Sequence, residues 1–102
     1  MKQQYRYRIT VEPMTPTEEV PAGPSTPLRF ESASHEEILE RVQRSRQWGE
    51  FDEDSAAALT VGVKLLGGVM LQNREHPLFE AFHPHFGQFM KRLKGSIVAA
   101  AP

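Results

Sequence analysis

Residues 52–72 read DEDSAAALTVGVKLLGGVMLQ, and this stretch decides the fold. Leu59, Val63, Leu66, Val69 and Met70 recur at helical spacing, while Val61, Leu65 and Leu71 widen the apolar stripe. A helix that is apolar around most of its circumference belongs at the centre of a core. Asp52 is placed to cap its N-terminus, with Glu53 and Asp54 in the dipole-favoured first turn. Gly62, Gly67 and Gly68 each cost about 1 kcal/mol in a helix interior relative to alanine. Their expected compensation is close approach of another backbone: the sheet, a neighbouring helix or a second copy of the chain. The apolar run from Ala56 to Leu71 is interrupted by Thr60 and Lys64. A bilayer span needs about 20 mostly apolar residues, and Lys64 would sit near its middle. The expectation is a buried core helix and no membrane partner.

Working back from this helix, Ser34-His35-Glu36-Glu37 has the form of a capping box, Ser34 and Glu37 satisfying each other's backbone donors. It opens a helix with Ile38, Leu39 and Val42 as its apolar stripe. Glu37–Arg41 and Glu40–Arg44 fall at i,i+4 in the favourable acid-first order. Gly49 is placed to end it, with Trp48 and Phe51 bracketing the turn.

Further back the pattern changes to period two. Tyr5, Tyr7, Ile9 and Val11 alternate with Arg6, Arg8, Thr10 and Glu12, which reads as a strand with one apolar face. Leu28-Arg29-Phe30-Glu31 alternates in the same way. Residues 13–27 lie between them and hold five of the eight prolines, so they read as the long loop of an antiparallel hairpin.

On the C-terminal side, Pro77 is placed to open a third helix as its first residue, and Pro84 repeats the signal. Phe79, Phe82, Phe86, Phe89, Met90 and Leu93 supply its apolar face, and Gly95 is a ready C-terminal cap. The fold class is therefore α+β: an N-terminal two-stranded antiparallel hairpin followed by three α-helices packed on one sheet face. Residues 1–95 are expected to form a single domain and residues 96–102 a frayed tail.

The whole chain has 102 residues, which suits one domain. Twelve Lys and Arg balance thirteen Asp and Glu, whereas polyanion-binding domains carry a basic excess. With no cysteine, thiol catalysis, disulfides and thiolate metal sites are excluded. The N-terminal residues are polar with no apolar leader, and the expected location is cytoplasmic. Two strands alone are marginal and leave unpaired edges, so a second subunit is expected to cover them, giving a homodimer.

Three stretches carry a resemblance: Tyr5-Arg6-Tyr7-Arg8-Ile9-Thr10, Asn73-Arg74-Glu75-His76-Pro77-Leu78-Phe79 and Phe86-Gly87-Gln88-Phe89-Met90-Lys91-Arg92-Leu93-Lys94-Gly95. Together they resemble the domain-of-unknown-function 3861 family of small bacterial proteins, over residues 2–95, the proline-rich loop being the most variable part. The resemblance implies an α+β bacterial protein and carries over no reaction, cofactor or catalytic residue.

Chemistry is sparse in the residues themselves. There is no G-x-S-x-G, H-E-x-x-H or phosphate-loop motif. His76, His83 and His85 come nearest to a ligand set, but His83 and His85 flank Pro84 and diverge if extended, so no metal and no cofactor is implied. Helix capping accounts for Asp52-Glu53-Asp54. The leading expectation is a non-enzymatic protein-interaction domain with an unidentified protein partner. An alternative is a small-molecule binder or enzyme built on Asn73, Arg74 and His76 near Trp48. A further alternative is a weak DNA-binding regulator using Arg6, Arg8 and Arg29, against which Glu12 and Glu31 sit on the same strand face.

Overall fold

The structure is a computed structural model that describes residues 4–14 and 26–100. The fold is α+β, a two-stranded antiparallel sheet followed by helices. Two compact units divide the chain, Met1–His35 and Glu36–Pro102.

In the first unit, β1 (Tyr5–Val11) pairs with β2 (Leu28–Ser34) from Tyr5 opposite Ser34 to Val11 opposite Leu28. The alternation puts Ile9 across from Phe30 on the apolar face and Arg8 across from Glu31 on the polar one. The long connection expected at 13–27 lies for the most part, at 15–25, outside the described residues. β2 runs three residues beyond the alternating stretch Leu28–Glu31. The reason is register: the seven residues of β1 take seven partners, and Tyr5 claims Ser34. Ser34 therefore belongs to a strand and is not the N-cap residue of a helix.

Glu37 caps α1 (Ile38–Trp48) instead, its carboxylate accepting from the backbone N–H of Leu39 at 3.2 Å and of Glu40 at 2.9 Å. The expected Glu40–Arg44 pair forms at 2.8 Å. With Glu37 engaged at the cap, Arg41 is ion-paired to Glu36. Gly49 ends α1 at φ +80°, in the left-handed region that glycine enters without a Cβ penalty.

Asp52 caps α2 (Glu53–Gln72) as expected, accepting from Ser55 N–H at 2.7 Å. At the far end of α1, Arg46 Nε donates to the Glu53 carbonyl at 3.1 Å, while Glu36, just before α1, reaches Lys64 in the middle of α2. The two helices thus run antiparallel. The buried residues are Ile38, Val42 and Ser45 on α1 and Ala56, Thr60 and Met70 on α2.

α2 departs from the expected core helix. Only one side of it is buried, and Leu66, Val69 and Leu71 are exposed. By length and composition alone it is also apolar enough to cross a bilayer. Its glycines play a different part from the one expected. A Cβ on Gly67 would meet the Phe86 ring at 3.5 Å, so an aromatic edge, and no backbone, makes the close approach. Gly62 and Gly68 face open space.

The expected third helix is two. α3 (Pro77–Glu80) is a single turn capped by His76, and α4 (His83–Ala100) follows after a turn at 81–82. Pro84 explains the break, because proline has no N–H to donate and fits only the first turn of a helix, where that donor is orphaned anyway. Gly95 does not stop α4, which carries on to Ala100. Gly49 alone has positive φ among the described glycines, and residues 101–102 of the expected tail lie outside the described residues.

Candidate functional site

The sequence-predicted binding residues fall at opposite ends of α2. Trp48 closes α1 and stacks edge-on against Phe51, with ring centroids 5.8 Å apart, beside the start of α2. Asn73 follows the last residue of α2, about 30 Å of helix away at 1.5 Å per residue. The Asn73 side-chain N–H donates to the Val69 carbonyl at 2.8 Å, and His76 Nδ1 accepts from Leu78 N–H at 3.1 Å. Both groups are spent on helix ends. Arg74 is exposed in the turn between them. Trp48 is therefore not brought to Asn73, Arg74 and His76.

The strand arginines are partly neutralised. Arg6 pairs diagonally with Glu31 at 3.3 Å, Arg8 lies directly opposite Glu31 in the ladder, and Arg29 lies opposite Thr10. Among the described residues, no group of three or more His, Cys, Asp or Glu is placed to hold a metal.

Trp48 does line an open groove of about 570 Å³ within the helical unit. One wall is apolar: Trp48, Phe51 and Leu59. The other is α4, which contributes an apolar ridge, Phe89 and Leu93, beside a polar row. That row is His85, Gln88, Arg92 and Ser96, at spacings of three, four and four, so the side chains share one helix face. Arg92, Gln88 and Ser96 all present hydrogen-bond donors, and among the described residues no carboxylate lines the groove. Sequence reading registered only the apolar half of the α4 pattern. The same three-four spacing in the polar residues was the available signal, but Phe51 and Leu59, on other elements, come to it only through the turn at Gly49.

A second surface feature is the outward face of α2. Ala58, Gly62, Leu66 and Val69 follow one another at spacings of four, four and three, and all are exposed. The one cation of α2, Lys64, is not on this face. Its side chain is only 15% exposed and its ammonium lies 3.0 Å from Glu36. Partial burial pushes the Glu36 carboxyl up, but the Lys64 hydrogen bond and the charges of Lys64, Arg41 and Lys94 outweigh this and hold it below its ordinary value.

Two comparisons bear on this architecture. A family model described as a domain of unknown function with solved structure, DUF3861, matches residues 5–95. A 2.20 Å crystal structure of a protein of unknown function from Pectobacterium atrosepticum is similar, with a TM-score of 0.79. The two sequences are 32% identical, and the likeness covers 91% of this chain and 99% of that one. No curated protein matches.

Proposed function

The chain belongs to the DUF3861 family of domains of unknown function, and within it we propose that this protein is a non-enzymatic protein-interaction module that acts in the cytoplasm as a homodimer. The observation that carries this reading is the uncovered apolar face of α2. Leu66 is 38% and Val69 49% exposed, and Ala58 and Gly62 continue the same face without a bulky side chain. Contiguous apolar surface of this kind mostly marks an interaction site. A two-fold interface sets each face against its own copy, so a charge near the axis would meet itself. From Ser55 to Gln72 the only charged residue is Lys64, and it is turned into the Glu36 pair. The face is neutral and tolerates its own copy, with Leu66 near the two-fold axis and the shallow positions at Ala58 and Gly62 letting the two helices approach.

The absence of native cysteine makes this directly testable. A Leu66→Cys variant under mild oxidation is expected to form a covalent dimer well beyond the yield of a control Leu78→Cys variant, whose site is also exposed. Equal yields from the two would show random collision and refute the interface.

A further inference from the structure

We propose that the groove between the Trp48–Phe51 wall and α4 is a binding site for a small organic acid: a carboxylate carried on an aromatic or aliphatic body. Its volume of about 570 Å³ falls in the range of small-molecule sites, on the order of 300–1,000 Å³. The chemistry of the two walls is unequal. Trp48, Phe51 and Leu59 offer apolar surface, and Phe89 extends it across the floor, so the body of the ligand is apolar. Phe51 is 48% and Phe89 45% exposed, so the rings have unused faces.

The polar edge sets the other half of the specificity. Arg92 takes part in no ion pair among the described residues. It is flanked one turn away on each side by Gln88 and Ser96, two side chains that donate hydrogen bonds. A guanidinium between two further donors, with no acid among the described residues that line the groove, complements a planar anionic acceptor such as a carboxylate. A neutral ligand of the same shape would fill the apolar half and leave the guanidinium unused. The ligand therefore binds with its carboxylate towards Arg92 and its body against Trp48.

Trp48 is the only tryptophan, so its fluorescence reports the groove alone. The probes are 4-phenylbutyrate and its neutral counterpart 4-phenyl-1-butanol, titrated into the full chain. The expected result is a saturable change in Trp48 emission with the acid, and binding of the alcohol about tenfold weaker, the scale of one charge-assisted hydrogen-bonded contact. Arg92→Gln is expected to bring the acid down to the level of the alcohol while leaving the alcohol unchanged. Arg92 is exposed, so folding does not depend on it. No saturable change with the acid, equal binding of acid and alcohol, or full binding by Arg92→Gln would each overturn the proposal.

Discussion

Lys64 Nζ lies 3.0 Å from Glu36 Oε1, joining the middle of α2 to the residue that leads into α1. Arg41 of α1 pairs with the same carboxylate, and Lys94 of α4 approaches it to 4.0 Å. One acid thus ties three helices together. It also explains how an apolar helix carries a lysine without a buried unpaired charge, which would cost several kcal/mol.

This junction makes stability depend on pH in a defined direction. Glu36 titrates below its ordinary value of 4.5 when folded. The unfolded chain therefore takes up the proton more readily. The stabilisation is complete above the unfolded value and drains away as pH falls through the folded one. Glu36→Gln is expected to cost about 1 kcal/mol at neutral pH, kept small by solvent screening of a carboxylate that is one-third exposed. Urea unfolding of both proteins across the acid range is expected to show the difference shrinking as pH falls. A difference independent of pH would contradict this account of Glu36.

Ser45 offers the opposite case. Its hydroxyl, on α1, is buried, the residue being 1% exposed, and has no hydrogen-bond partner among the described residues. Ser45→Ala removes an unpaired polar atom and improves helix propensity, so it is expected to stabilise the protein by about 0.5–1.5 kcal/mol. The urea midpoint should rise with the slope unchanged.

Two glycine-to-alanine changes are expected to have opposite signs. At Gly68 a Cβ meets nothing within 4 Å, so alanine brings its helix propensity, about 1 kcal/mol of stabilisation. At Gly49, φ is +80°, and a Cβ there is strained by about 1–2 kcal/mol. Thermal midpoints moving in opposite directions check both assignments together.

Much of the fold was legible because it rests on local chemistry. Alternation gave both strands, and Asp52, Gly49 and Pro77 marked helix boundaries where capping and backbone geometry require those residue types. The failures came where partners lie far apart in sequence. Ser34 followed by Glu37 has the local form of a cap, but the ladder with Tyr5 claims Ser34 first. Lys64 was legible as an anomaly in an apolar run, yet nothing nearby pointed to Glu36, 28 positions earlier, as its partner. The groove was half legible: Trp48 and Phe51 stood out as neighbours, whereas the polar row of α4 acquires meaning only once that helix lies alongside Leu59. Asn73 and His76 read as a candidate site because polar residues cluster there, and in the structure each also caps a helix end.

The uncovered face of α2 is the centre of the functional account, and the mass of the protein in solution tests it most directly. Light scattering coupled to gel filtration at high micromolar concentration is expected to give twice the 11.6 kDa of the chain, and Leu66→Glu is expected to return it to a single chain. A wild-type mass of one chain at that concentration would contradict the account.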